Sequence, residues 1–102
     1  MLPLDFHPLV EVDLANSAEW YGPQQPGLDE RFLVEVRERF NALPADANLY
    51  AVRFADIRRV NLPGFKHGIF YFIAAEVVVV LAVLHGHRDS QAELQRRRKK
   101  YS

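Results

Sequence analysis

Residues 68–84 read GIFYFIAAEVVVVLAVL and contain the longest apolar stretch of the chain, Ile69–Leu84. This stretch has 16 residues, many of them valine, and contains Glu76, whereas a membrane-spanning helix needs about 20 apolar residues. Aromatic and β-branched residues favour strands, so we predict two buried strands joined by a tight connection at residues 74–76. Because Val77–Leu84 is apolar at odd and even positions alike, it must be covered on both faces and should lie at the sheet centre.

Two helices are predicted upstream of these strands. The first is expected to begin at Pro8, since proline suits the first helical position, and to stop at Gly22. The second is expected to end at Pro44. Apolar residues recur every three or four positions, at Val10, Leu14, Ala18 and Tyr21 in the first helix and at Leu28, Phe32, Val36, Phe40 and Leu43 in the second. The short connection predicts a helical hairpin with one shared apolar side.

Three further elements complete the predicted order. Leu4–His7 and Ile57–Leu62 are short strand candidates, and Ser90–Lys100 is a candidate last helix with Ser90 as its cap and Glu93 three residues on. The order is therefore β-α-α-β-β-β followed by a C-terminal helix. We predict an α+β fold in which the helical hairpin covers one face of a mostly antiparallel sheet. At 102 residues, the chain should form a single domain over 1–102.

Composition excludes several classes of protein. Hydrophobic residues make up 49% and charged residues 25%, as in ordinary globular domains. There is no cysteine, which excludes a disulfide framework and a thiolate metal site and fits a reducing compartment. The first residues lack the basic start of a signal peptide. We expect a cytoplasmic protein that needs no membrane, metal or small-molecule cofactor.

The net charge of zero hides an asymmetry between the two halves of the chain. Residues 1–50 carry nine acidic and three basic side chains, and residues 51–102 carry four acidic and ten basic ones. The basic half ends in a run of five, Arg96, Arg97, Arg98, Lys99 and Lys100. Such a run favours an anionic partner, or it completes a helix end, where cations suit the negative pole of the dipole.

Several short segments, in order along almost the whole chain, resemble the RelE/ParE family of toxins. The segments are Phe6-His7-Pro8, Ala18-Glu19-Trp20-Tyr21, Pro26-Gly27-Leu28 with Phe32 and Glu35-Val36 after it, Ile57-Arg58-Arg59, Phe65–Ile73, and Val80–His85 followed by Arg88. The resemblance implies the toxin of a bacterial type II toxin–antitoxin pair, of the plasmid stabilisation kind, that inhibits growth and is neutralised by a cognate antitoxin. We expect that antitoxin to be acidic and partly disordered when free.

The resemblance implies two alternative targets. ParE-like members bind DNA gyrase, whereas RelE-like members enter the ribosome and cleave mRNA. The residues around Trp20-Tyr21 and Val83–Arg88 are more similar to the ParE-like group. The second helix also offsets its arginines with acidic residues, unlike RelE-like nucleases that hold RNA with several lysines there. A third alternative is a small protein whose one role is to bind a partner. Whether the chain is an enzyme stays open at this point.

If the chain were RelE-like, the resemblance would place catalysis at Arg59, His85, His87 and Arg88. Cleavage through the ribose 2′-hydroxyl needs a base, an acid and a cation. Histidine transfers protons near neutral pH, and arginine binds phosphate. The alternative interpretation is that these histidines are ordinary loop residues at a strand end. Two histidines at 85 and 87 without a third ligand make a poor metal site.

Other aromatic and histidine residues receive structural interpretations. Trp20, Tyr21, Phe70 and Phe72 could stack on bases, but residues spaced in this way are more often core, and we predict core. His7 is interpreted as a helix-start residue, and no chemistry is assigned to it or to His67.

Overall fold

The computed structural model describes residues 1–86 and 89–102. Within these residues the elements in chain order are β1 (Leu4–Phe6), α1 (Val10–Tyr21), α2 (Leu28–Asp46), β2 (Val52–Phe54), β3 (Ile57–Asn61), β4 (His67–Ala74), β5 (Val77–His85) and α3 (Asp89–Arg98). Short 3₁₀ turns follow α1 and α3. None of the helices in these ranges is long and apolar enough to cross a membrane.

The strands form one mixed sheet in the order β1-β5-β4-β3-β2. β1 runs parallel to β5, and the other neighbouring pairs are antiparallel. β5 therefore lies inside the sheet, as its apolar sequence predicted. The α+β class and the helical hairpin on one face are also confirmed.

Each face of the sheet buries its own apolar cluster. The hairpin of α1 and α2 covers a cluster that includes Phe32, Tyr71 and Val80. On the opposite face, α3 covers a second cluster that includes Phe72 and Leu94. Cover on both sides explains why β4 and β5 are apolar at nearly every position.

A β-bulge in β5 decides which side chains share a face near the end of that strand. Phe70 pairs with Ala82 and Tyr71 with Val80, so Leu81 is an additional residue in β5. Leu81 and Ala82 consequently both belong to the cluster under α3. Residues after the bulge change face relative to a regular strand. The bulge thereby brings His85 to the hairpin face.

Several predicted boundaries were wrong. α2 continues past Pro44 to Asp46, although proline removes one helical hydrogen bond. The last turn is held by packing, because Leu43 and Ala47 are buried and the Pro44 carbonyl accepts the Leu2 N–H at 3.0 Å. α1 begins two residues after Pro8, where the Leu9 N–H donates to His7 Nδ1 at 3.0 Å and confirms the helix-start role of His7.

The strand count and the last cap also differed from the prediction. β2 was absent from the predicted order because it has only three residues and lies at the edge of the sheet. α3 begins at Asp89, so Ser90 lies inside the helix. The Glu93 carboxylate is bound by Arg96 and Arg97 on the next turn.

Candidate functional site

A cleft of about 450 Å³ opens on the hairpin face, between the second half of α1 and the end of β5. We call it the histidine cleft; it is lined by Asp13, Asn16, Ser17, Trp20, His67, Val83, Leu84 and His85. The lining combines apolar side chains with five polar ones, as small binding sites do.

Tyr21 determines which ring nitrogen of His67, at the base of the cleft, carries the proton. The backbone N–H groups of Lys66 and His67 donate to Tyr21 Oη at 2.9 and 3.3 Å. The one hydroxyl proton is then left to donate to His67 Nδ1, 2.8 Å away. The neutral ring must therefore carry its own proton on Nε2. Burial, with a smaller contribution from His85 and Arg59, lowers the pKa of His67 to about 4.

His85 lies opposite His67 on the neighbouring strand. Their ring centroids are 5.6 Å apart, and the Trp20 ring packs edge-on against His85 at 6.1 Å. Trp20 is 53% exposed, so the core prediction was wrong for this residue. It was right for Tyr21, Phe70 and Phe72, which are buried. The cleft therefore holds an exposed indole beside two imidazoles that pack edge-to-face.

Arg59 lies on the other face of the sheet. It pairs with Phe70, whose ring belongs to the cluster under α3, and its guanidinium carbon is 5.2 Å from that ring's centroid. A cavity of about 390 Å³ opens there. We call it the arginine pocket; it is lined by Arg53, Phe54, Arg59, Phe70, Gly86, Ser90 and Gln91.

Two of the four predicted catalytic residues, Arg59 and His85, lie in the described part of the chain, and they do not lie together. Arg59 and His85 face opposite sides of the sheet, in the arginine pocket and the histidine cleft respectively. His87 and Arg88 lie outside the described residues. His67, to which no chemistry was assigned, is the histidine that contacts His85. No sequence signal marks this contact, because the register of the β4–β5 turn would pair position 67 with position 84, and only the bulge at Leu81 places His85 opposite His67.

The five residues of the basic run 96–100 lie in different environments. Arg97 is buried against Asp13, and Arg98 pairs with Asp56 and lies 3.8 Å over the Phe72 ring. Arg96 is exposed and pairs with Glu93 within its own helix. Lys99 and Lys100 are exposed. The charge that the run offers to a partner is therefore that of Arg96, Lys99 and Lys100.

No three histidine or acidic side chains lie close enough to hold a metal ion within residues 1–86 and 89–102.

An α+β domain with a helical hairpin on one face of its sheet, and a basic final helix on the other, is the form of the toxin class that the sequence resembles. Residues 4–90 match the family model for the ParE toxin of the type II toxin–antitoxin system parDE, and the chain belongs to this family. Membership implies a cognate antitoxin as partner.

Comparison with solved structures agrees on the fold. A chain in the structure of the chromosomal ParDE TA system from P. aeruginosa superposes with a TM-score of 0.73. The alignment covers 85% of this chain and 98% of that chain, at 15% sequence identity. None of the curated proteins compared with this sequence matches it.

Proposed function

We propose that this protein is a ParE-like toxin that stops growth by binding DNA gyrase in the cytoplasm, in a plasmid-stabilising pair with its antitoxin. Membership of the ParE toxin family supports the toxin role. The gyrase target follows from the similarity of the Trp20-Tyr21 and Val83–Arg88 segments to ParE-like members. Binding alone suffices for such a toxin, so no catalytic centre is required.

The observation that carries this proposal is the separation of Arg59 from His85 by the sheet. RNA cleavage needs a base, an acid and a cation around one phosphate. Arg59 opens into the arginine pocket under α3, whereas His85 opens into the histidine cleft under α1. These two members of the predicted set therefore open to different cavities, which favours a toxin that acts by binding.

A supercoiling assay with purified gyrase tests the proposal. The toxin should inhibit supercoiling, and an excess of the neighbouring gene's product should restore it. His85→Ala and Arg59→Ala should both still inhibit, because neither side chain is required for a chemical step. Undisturbed supercoiling at a large excess of toxin would contradict the gyrase target.

One observation favours a second candidate, a RelE-like ribosome-dependent endoribonuclease. The rings of His67 and His85 pack edge-to-face beside the exposed Trp20 in an open cleft, which is a suitable environment for proton transfer next to a nucleobase. Induced expression would then produce cuts in ribosome-bound mRNA, and His85→Ala or Arg88→Ala would abolish them. Toxicity that survives both substitutions would contradict this candidate.

Growth arrest on expression also distinguishes the two toxin candidates from a protein that only binds a partner. A protein whose one role is to bind a partner would cause no growth arrest when expressed without that partner. Arrested replication would favour the gyrase target, whereas arrested translation would favour the ribosome. Pulse labelling with thymidine and with an amino acid distinguishes these outcomes in one experiment.

A further inference from the structure

We propose that the arginine pocket receives an acidic side chain of the antitoxin, with Arg59 as the residue that binds its carboxylate. The choice of an antitoxin as partner rests on the toxin function proposed above. The choice of a carboxylate as ligand rests on the chemistry of the pocket. Nothing in the family match assigns a role to this cavity, which lies on the face opposite the histidine cleft.

The guanidinium of Arg59 lies directly against the backbone of two glycines. A Cβ atom on Gly68 would lie 2.4 Å from Arg59 Nε, and one on Gly86 would lie 2.1 Å from a terminal nitrogen of the same group. Real atoms do not approach so closely, so the arginine occupies space that any other residue at these positions would fill. The Phe70 ring supports it from the sheet. A group fixed in this way loses little conformational freedom when it binds a ligand.

The charge of Arg59 is not compensated by any described residue. Its Nε is buried without a hydrogen-bond partner, and among the described residues its guanidinium makes only a long 3.5 Å hydrogen bond, from a terminal nitrogen to the Lys66 carbonyl. By contrast, Arg97 and Arg98 have carboxylate partners, and Arg58 donates to the Tyr50 carbonyl at 2.8 Å. A half-buried cation without an anion is costly, so an anion should enter this pocket.

The pocket suits a carboxylate on a short apolar stem. Arginine presents a planar fork of donors that matches a carboxylate, and Arg53 supplies a second positive charge at the same cavity. Phe54, which is partly exposed, gives the pocket an apolar wall against which methylene groups of Asp or Glu can pack. A nucleic acid strand would require exposed rings on which bases stack, and Phe70 is only 4% exposed.

Titration of the isolated toxin with defined anions tests the inference without gyrase or ribosomes. The probes are a glutamate-rich decapeptide, inorganic phosphate and a decamer of oligothymidylate, with the Arg59 Nε–H resonance followed by NMR. The peptide should shift this resonance. Arg59→Gln should weaken peptide binding about tenfold or more, the loss expected for a charge-assisted hydrogen bond. Arg39→Gln, which removes an arginine paired with Glu35 on α2, should change it less than about twofold.

A second variant tests whether peptide binding depends on the position of the guanidinium as well as on its charge. Gly86→Ala keeps the charge but pushes the guanidinium out of position, and it should weaken peptide binding as Arg59→Gln does. The melting temperature of Arg59→Gln should not fall, because the substitution removes an uncompensated charge.

Three results would overturn the inference. The first is an unmoved Arg59 resonance with all probes, and the second is a large loss of melting temperature in Arg59→Gln. The third is tighter Arg59-dependent binding of phosphate or oligothymidylate than of the peptide, which would assign the pocket to phosphate groups. A toxin that fails to inhibit gyrase but binds the peptide through Arg59 would refute the proposed target and leave this inference standing.

Discussion

Asp13 and Arg97 form a buried ion pair that joins α1, β5 and α3. The two oxygens of the carboxylate lie 2.6 and 2.9 Å from the guanidinium nitrogens. Asp13 also accepts the Val83 N–H at 2.9 Å, and Arg97 donates to the Leu81 carbonyl at 3.1 Å. β1 pairs with β5 only as far as Val80. Beyond that point the side chains of Asp13 and Arg97 bind the backbone groups of β5 that a longer β1 would have bound.

Removal of one partner of this pair should be strongly destabilising. Arg97→Met leaves the Asp13 carboxylate buried without its cation, and the free energy of unfolding should fall by about 3–5 kcal/mol. Arg96→Met, on the exposed side of the same helix, should change it by less than about 0.5 kcal/mol. Urea denaturation of both variants provides the measurement, and equal losses in the two would mean that the buried pair has no special role.

The low pKa of His67 predicts a loss of stability in weak acid. Its pKa is about 4 in the folded protein against about 6.5 for an unperturbed histidine, so the unfolded chain takes up the proton first. The contribution is therefore complete above pH 6.5 and is lost as the pH falls towards 4. Between pH 6.5 and 5, unfolding should become easier by about 1–2 kcal/mol.

The matched variant for this test is His67→Gln, which keeps an acceptor for the Tyr21 hydroxyl but does not titrate. Its stability should depend less on pH over the same interval. His7, whose pKa is lowered by burial and by Arg97 and Lys100, is present in both proteins and cancels in the comparison. Identical slopes for the two proteins would exclude His67 as the source, and an NMR titration of its ring should show no protonation near pH 6.

The two residues of the turn between β4 and β5 are not the types that its backbone conformation favours. Ala75 and Glu76 have φ angles of 51° and 61°, in the left-handed region that Asn and Gly adopt more easily. The double substitution Ala75→Asn with Glu76→Gly should raise the free energy of unfolding by about 0.5–1 kcal/mol. Ala75→Val should lower it, because a β-branched residue fits this region poorly. Thermal denaturation of the two variants should therefore give shifts of opposite sign.

The exposed lysines at the C-terminus should govern salt-dependent association with the antitoxin. Lys99→Gln with Lys100→Gln removes two charges that have no described ion-pair partner, so stability should be unchanged. The association rate with the antitoxin, which we expect to be acidic, should fall, and its dependence on ionic strength should weaken. Stopped-flow mixing at 50 and 300 mM salt would measure this. A truncation before Arg96 would be a poorer test, since it also removes the buried Arg97.

Sequence reasoning identified the parts of the fold that follow from local pattern. The valine run of β5, the aromatic strand before it and the apolar stripes of the two first helices each need burial in one particular geometry. The prediction failed where burial elsewhere overrides a local preference, as at Pro44. It also failed for β2, which is too short to show a pattern.

The sequence by itself determined the layers of the fold, because the spacing of apolar side chains specifies which faces must be covered, and the resemblance of its short segments indicated the family. Only the tertiary structure decided the site. One additional residue at Leu81 turns His85 towards His67 and away from Arg59, and no periodicity marks such a bulge. The burial of Arg97 likewise depends on a contact that is distant in the chain, since its buried partner Asp13 lies 84 positions earlier. A local pattern does not encode contacts between elements that are far apart in the chain.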